Sequence, residues 1–182
     1  MISILNFKKS TNITRKFPEN ITTNDEKYFV NELEGKIPKT LIYKLTGASI
    51  IKYDIKLFGI FNVFQNQTYF YKLNIIKRLK NIFRGLVSVF IIKNKIYLNE
   101  GIWICDTGGM NYFHWITDCL TRLTYVRKYA DTRKVLLPES YRDLEYVIKS
   151  LYILGFEPFF YSLNDRLIVK KLFLPTKTAP TG

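Results

Sequence analysis

The spacing of hydrophobic positions changes near residue 100. Before it, from Leu41 onward, the apolar residues are β-branched or aromatic and fall in short runs that Gly47, Gly59 and the Asn66-Gln67 pair interrupt. This pattern is typical of strands joined by turns or bulges. It predicts strands over 41–45, 49–53, 57–65 and 68–71. The polar stretch 6–24, rich in Lys, Thr and Asn, predicts a mobile arm, and 28–33 predicts a short helix.

After residue 100, strand and helix patterns alternate. Strands are predicted over 102–105, 134–137, 158–161 and 167–174, and helices over 111–126 and 141–154, with Gly155 closing the second helix. Strand, helix and strand with short connections predict a parallel sheet. We therefore expect an α/β protein with a Rossmann-like parallel sheet core over 101–182. A polar arm over 1–40 and a small antiparallel strand-rich layer over 41–100 would precede it.

The helix after Gly108 and Gly109 holds the richest chemistry of the chain. At about 100° per residue its predicted apolar face comprises Tyr112, Phe113, Ile116, Cys119, Leu120, Leu123 and Val126. The predicted polar face comprises His114, Asp118, Thr121, Arg122 and Tyr125, with Trp115 at its margin.

His114 is the only histidine of the chain, and Asp118 follows it by one helical turn. A carboxylate at this spacing can orient the imidazole, as general-base chemistry requires. Thr107 or Asn111 can cap the helix. The plainer interpretation is a solvated helix face with a structural histidine and a capping asparagine, and the residues alone leave both interpretations open.

The segment Asn111-Tyr112-Phe113-His114-Trp115-Ile116-Thr117-Asp118, followed by Leu120 and Arg122-Leu123, resembles the signature of the glycosyltransferase family 61 proteins. In that family a strand and a Gly-rich turn lead into an N-Y-F-H-W-x-T-D-x-L-P-R-L helix. The resemblance is close over 101–123, loose from there to Pro175, and limited to a strand-rich layout before Gly101. The family usually has proline where Thr121 stands, and a proline there would kink the helix and free a carbonyl.

The resemblance implies a GT-B-like enzyme with two Rossmann-like domains and an active site in the cleft between them. The first domain would bind a saccharide acceptor and supply the base, and the second would bind a nucleotide-sugar donor. Such an enzyme would act in surface polysaccharide or glycan synthesis, and the resemblance implies inversion of the anomeric configuration. The 182 residues suffice for one of these domains, so we expect the donor-binding half to be missing or to reside on a partner chain.

Specific roles follow from the chemistry of sugar transfer. Either His114 or Asp118 would be the base, with the other orienting it. Asn111, Trp115 and Arg122 would shape the acceptor side, with Trp115 laying its ring against a sugar. Gly108 and Gly109 would allow close approach of the backbone at the positive end of the helix.

Composition adds limits to this picture. The formal net charge of +13 favours an anionic surface or substrate, although the excess of lysine, asparagine and isoleucine is also typical of an AT-rich coding sequence. Segment 73–84 predicts a basic amphipathic helix, which would either pack on the protein with a solvated lysine face or lie on the surface of an anionic membrane. No signal peptide or membrane span is evident, so we expect a cytoplasmic protein, which would be peripheral at the membrane if the helix over 73–84 binds lipid.

Cofactor chemistry finds little support in the sequence. It contains no P-loop, no DxD-type carboxylate pair and no cysteine–histidine cluster, so we predict neither a metal nor another cofactor. Cys105 and Cys119 are expected in the core of a protein from a reducing compartment.

Two other functions remain open. The chain could be a non-catalytic remnant or subunit that needs a partner chain. A basic nucleic-acid-binding domain ranks last, because the lysines are scattered and no recognition motif is present, so we expect no nucleic-acid partner.

Overall fold

The computed structural model describes residues 2–37, 39–52, 54–57, 94–105 and 108–176. Nine strands and three helices are named here in chain order. They are β1 Ile2–Lys8, β2 Thr11–Thr14, α1 Glu26–Phe29, β3 Glu34–Ile37, β4 Thr40–Ile51, β5 Asp54–Leu57, β6 Lys95–Ile102, α2 (residues 112–126), β7 Lys134–Pro138, α3 Glu145–Ile153, β8 Glu157–Tyr161 and β9 Arg166–Pro175.

Seven strands form one mixed sheet in the order β1-β4-β9-β6-β7-β8, with β5 also paired to β4. Strands β9, β6, β7 and β8 run parallel, and β1, β4 and β5 add antiparallel pairs. The expected α/β class with a mainly parallel centre is confirmed at this level. Of the strand-rich layer predicted over 41–100, the described strands β4 and β5 extend the same sheet, and residues 58–93 lie outside the described residues.

Strand β9 joins the two parts of the sheet. It pairs antiparallel with β4 from Ile42↔Pro175 to Ile51↔Arg166, and parallel with β6 from Lys95↔Arg166 to Ile102↔Phe173. Its side chains Leu167, Val169, Leu172 and Leu174 have no exposed surface. Because β9 is buried between two strands, its sequence is mainly apolar, in two runs over 167–169 and 172–174 that Lys170 and Lys171 separate.

Strand β4 corrects one sequence expectation. Two strands separated by a turn or bulge at Gly47 were predicted, but the structure has one strand of 12 residues. Gly47 adopts φ +70°, a left-handed conformation that glycine tolerates, and the register is the same on both sides of it. Gly47 therefore makes a local kink and not a turn, because pairing with β9 continues in the same register on both sides of it.

The N-terminal stretch also differs from its prediction. Residues expected to form a mobile arm contribute β1, which pairs with β4 at an edge of the sheet, and β2, which pairs with β3. The short helix predicted over 28–33 is confirmed as α1 and the 3₁₀ turn Val30–Glu32 that follows it. The predicted strand 68–71, all but the first residue of 57–65, and the basic helix 73–84 lie outside the described residues.

Helices α2 and α3 connect parallel neighbours, as the strand–helix–strand pattern predicted. Helix α3 begins four residues later than expected, after a 3₁₀ turn at Glu139–Tyr141. Its C-terminus is closed by two hydrogen bonds, from the Gly155 amide to the Tyr152 carbonyl and from the Phe156 amide to the Leu151 carbonyl, each of 2.9 Å. This is a Schellman motif, and the φ of +73° at Gly155 explains the glycine.

The sheet is strongly coiled between β6 and β8. Strands β6 and β7 pair only at Ile102↔Val135, and residues 162–165 alone connect β8 to β9. In a flat sheet of this order the joined ends would be roughly 35 Å apart, whereas such a connection spans less than about 20 Å. The β7–β8 pair must therefore curve towards the start of β9. In agreement, the Tyr161 hydroxyl at the end of β8 donates a hydrogen bond of 2.6 Å to the Lys52 carbonyl at the end of β4.

Among the helices that the structure describes, none combines the length and the apolar character needed to cross a membrane.

The single-pair junction of β6 and β7 depends on Gly101. A Cβ atom at this position would lie 2.7 Å from Cδ1 and 2.9 Å from Cγ of the buried Leu136. We predict that Gly101→Ala lowers the free energy of unfolding by about 1–3 kcal/mol, the usual result of overpacking a core. Urea unfolding followed by circular dichroism measures it.

A double-mutant cycle with Leu136→Ala provides the control. Leu136→Ala alone leaves a cavity, but it also makes room for the methyl group that Gly101→Ala introduces. The double variant should therefore be more stable than the sum of the two single effects predicts. Additive effects, or a Gly101→Ala variant as stable as the wild type, would show that the contact is not limiting.

Candidate active site

Helix α2 begins beyond the carboxyl end of β6, at the edge of a parallel sheet where ligands commonly bind. A turn over Gly108–Met110 leads into it, closed by a hydrogen bond of 2.9 Å from the Asn111 amide to the Gly108 carbonyl. The Asn111 side chain accepts a hydrogen bond of 2.9 Å from the Phe113 amide, which confirms Asn111 as a helix cap. Thr107, the other capping candidate, lies outside the described residues.

His114 and Asp118 contact each other directly, as their spacing predicted. His114 Nδ1 lies 2.9 Å from Asp118 Oδ2. The His114 side chain is 50% exposed, whereas that of Asp118 is 11% exposed. The pair therefore has a sheltered carboxylate end and an open imidazole end.

The hydrogen bond defines what each member can do. An ionised carboxylate only accepts hydrogen bonds, so the imidazole must donate through Nδ1. In a neutral imidazole the lone pair then lies on Nε2, where it can accept a proton. This geometry favours His114 as the base and Asp118 as the residue that orients it.

A π-helical segment, Trp115–Leu120, separates the α-helical turns Tyr112–His114 and Thr121–Val126. Two threonine hydroxyls donate to carbonyls here: Thr117 Oγ1 to Phe113 at 2.9 Å, and Thr121 Oγ1 to Thr117 at 2.7 Å. Such local bonds bend helices, and π-helical turns occur often at functional sites. The helix is thus irregular near Thr121, the position where the resembled family usually has proline.

The predicted position of Trp115 at the margin of the polar face is wrong. Its ring has no exposed surface, because it packs into the core, with Tyr141 at a ring-centroid distance of 6.0 Å. The indole Nε1 donates a hydrogen bond of 2.9 Å to Ser150 Oγ on α3. The predicted stacking of Trp115 on a sugar therefore has no exposed ring face through which to act.

The placement of Arg122 on a solvated face is also wrong. The residue is 1% exposed, and Nη1 donates a hydrogen bond of 2.9 Å to the Ile104 carbonyl just after β6. The buried guanidinium ties α2 to the sheet. It is not available at the surface to shape an acceptor site.

The N-terminal part of the predicted apolar face is exposed instead. Tyr112 is 63% exposed, Phe113 66% and Ile116 39%, whereas the later members Cys119, Leu123 and Val126 are buried. The helix is rotated so that Trp115 and Arg122 face the core, and the described elements leave the side chains of its first turn exposed. The aromatic rings expected in the core therefore lie beside His114 at the surface.

Helix α3 braces this first turn through a residue that the sequence did not single out. The Tyr146 hydroxyl donates a hydrogen bond to the Met110 carbonyl, and its ring meets Tyr112 edge-on at 5.2 Å. Burial is the main cause of a raised pKa of the Tyr146 hydroxyl, and the nearby charge of Cys119 when ionised raises that pKa further. The hydroxyl therefore stays protonated and can donate. Tyr146 and Ser150 lie about 35 residues after their partners in sequence, so no local sequence pattern predicts these contacts with α2.

Metal ligands are not gathered at this site. Within the described ranges no three histidine, cysteine, aspartate or glutamate side chains lie close enough to hold an ion. Cys105 and Cys119 are both buried and not joined in a disulfide, in agreement with their predicted place in the core.

The chain matches no protein-family model, no curated protein and no solved structure. The resemblance of residues 101–123 to glycosyltransferase family 61 therefore stays a prediction that rests on the motif.

The orientation of the imidazole can be tested by nitrogen-15 NMR, because a single histidine gives a single set of ring signals. We predict that neutral His114 carries its proton on Nδ1. Asp118→Asn should shift the proton towards Nε2, since an asparagine amide can donate to Nδ1. Asp143→Asn, which changes an exposed carboxylate elsewhere, is the control and should leave the signals unchanged. A proton on Nε2 in the wild-type protein would contradict the proposed pairing.

The cap at Asn111 makes a second prediction. Asn111→Ala leaves the Phe113 amide without its side-chain acceptor and should lower the free energy of unfolding by about 1 kcal/mol, whereas Asn111→Asp should retain most of it. Thermal or urea unfolding of the three proteins measures the difference. Equal stability of the alanine and aspartate variants would show that the cap contributes nothing.

Proposed function

We propose that this chain is the acceptor side of a glycosyltransferase, in which His114 removes the proton of the attacking acceptor hydroxyl. One observation carries the proposal. A sheltered carboxylate holds Nδ1 of an exposed imidazole at 2.9 Å, at the carboxyl end of a parallel strand. The resemblance to family 61 over the same residues supplies the reaction class.

The chemistry assigns one step to each group. His114 Nε2 takes the proton as the acceptor oxygen attacks the anomeric carbon of a nucleotide sugar. The bond from that carbon to the phosphate oxygen breaks, and the nucleoside diphosphate leaves with the electron pair. Asp118 stabilises the imidazolium that forms and keeps the ring in position. Direct displacement of this kind inverts the anomeric configuration.

Burial separates the two candidate bases. Asp118 offers little of its surface to a ligand, and its Oδ2 is occupied by His114. An incoming hydroxyl meets His114 first. We therefore assign the base to His114 and the orienting role to Asp118, with Gly108 and Gly109 forming the turn that places α2 beside the acceptor.

The binding site of the nucleotide-sugar donor is inferred from the resemblance alone. By resemblance to family 61, the described sheet would be one Rossmann-like half of a GT-B-like enzyme. The nucleotide sugar would bind to a second domain or to a partner chain, with the reaction in the cleft between them. Attachment at an anionic membrane surface through residues 73–84 would fit synthesis of a surface polysaccharide.

A transfer assay tests the assignment. Native full-length protein, with any partner chain that copurifies, would be incubated with a panel of uridine and guanosine diphosphate sugars and mixed oligosaccharide acceptors, and products identified by mass. We expect His114→Gln to lower kcat by about 10²–10⁴-fold, the usual contribution of a general base.

Asp118→Asn should lower kcat as well, because it favours the wrong imidazole tautomer. Asp143→Asn, which changes an exposed carboxylate on the segment before α3, should transfer at the wild-type rate. Full activity of His114→Gln would assign the base to another residue.

A further inference from the structure

Two aromatic rings lie exposed next to the proposed base. Tyr112 is 63% exposed and Phe113 is 66% exposed, and they directly precede His114 on the first turn of α2. Large aromatic side chains are usually buried, so two neighbouring exposed rings indicate a surface that something covers.

Both rings are held by edge contacts. Tyr112 meets Tyr146 at a centroid distance of 5.2 Å and an angle of 80°, and Phe113 meets the His114 imidazole at 5.7 Å and 76°. In such a T-shaped contact the edge of one ring meets the face of the other, so the partner ring covers at most one face of Tyr112 or Phe113. Tyr146 is itself anchored to the Met110 carbonyl. The rings are therefore positioned before any ligand arrives.

We propose that Tyr112 and Phe113 form an aromatic platform on which the acceptor saccharide stacks, with its reactive hydroxyl directed at Nε2 of His114. This proposal rests on the proposed function and identifies the acceptor-binding residues. It replaces Trp115, whose ring is buried.

The chemistry of a pyranose fits this surface. One face of such a ring presents polarised C–H groups, which are attracted to the negative face of an aromatic ring, while hydroxyls project from its edge. A sugar stacked on Phe113 would lie about 4 Å above the ring. Because the imidazole is 5.7 Å from the centre of Phe113, hydroxyls at the sugar's edge come within reach of it.

The size of the patch favours a small ligand over a protein. With Met110 and Ile116 at its border, the exposed apolar area is on the order of 400 Å², about half of what one partner buries in a stable protein interface. The imidazole and the Asn111 cap adjoin the rings, so hydrogen-bonding groups border the apolar faces. This combination of ring faces and polar edges is typical of sugar binding.

Substitutions that remove a ring but keep apolar volume test the platform. The probes are methyl β-D-glucopyranoside, methyl β-D-galactopyranoside and methyl β-D-xylopyranoside, titrated into the full chain while the His114 signals are followed by NMR. We expect at least one probe to shift those signals. Tyr112→Leu and Phe113→Leu should each raise its Kd about three- to tenfold.

Conservative variants and a matched control separate stacking from general effects. Tyr112→Phe and Phe113→Tyr keep the ring and should bind as the wild type does. Tyr152→Leu removes a tyrosine on α3 with a similar exposure of 61% and should also change nothing. Unchanged Kd values in both leucine variants, or no shift with any probe, would overturn the platform.

The transfer assay distinguishes this proposal from the one on which it rests. Phe113→Leu should raise KM for the acceptor and leave kcat and the donor KM nearly unchanged, whereas His114→Gln should lower kcat. Transfer that needs His114 but shows the same acceptor KM in Phe113→Leu overturns the platform alone. Saccharide binding that needs both rings, without any dependence of transfer on His114, supports the platform and overturns the assigned base. A raised donor KM alone would assign the rings to the nucleotide and overturn the acceptor platform.

Discussion

The rotation of helix α2 about its axis depends on the burial of Trp115. An indole is among the largest apolar groups a core can accept, and its N–H must find an acceptor when buried. Ser150 Oγ supplies it at 2.9 Å. With Trp115 turned inward, its neighbour His114 must point away from the core, since successive residues diverge by about 100° around a helix. Asp118 lies at the border, sheltered enough to hold the imidazole.

Arg122 secures the same orientation further along the helix. Burying a guanidinium is unfavourable unless hydrogen bonds replace its water, and the Ile104 carbonyl is one such partner. Between the two anchors the helix widens into its π-helical segment, where threonine hydroxyls bond the carbonyls of the preceding turn. His114 lies on the α-helical first turn and Asp118 on the π-helical segment. The change of helical pitch between them brings the two side chains together at one site.

Local patterns predicted three of the four parallel strands, whereas the strand predicted over 102–105 is β6 at Lys95–Ile102 and overlaps the prediction only at Ile102. Strands β7, β8 and β9, the closure of α3 by Gly155, the Asn111 cap and the His114–Asp118 pair all follow from signals within a few residues. The predictions that failed concern residues whose surroundings are set by contacts distant in sequence. The helical wheel could not show that Trp115 meets Ser150 or that the described part of the chain leaves Tyr112 mostly exposed, because amphipathicity predicts a face and not its partner. The polar N-terminal stretch was likewise misjudged, because β1 is held by pairing with β4 and not by its own composition.

The central place of β9 has a consequence for how the chain folds. Residues that pair with β9 are 115–133 positions earlier on β4 and 71 positions earlier on β6, so the pairs that close the sheet are among the most distant in sequence. Contacts of this range form slowly, because a long loop must be ordered first. Until β9 leaves the ribosome, β4 and β6 each have an unsatisfied edge rich in apolar side chains. Unpaired strand edges of this kind are prone to aggregation, so this is the stage of folding at which we expect the nascent chain to aggregate most readily.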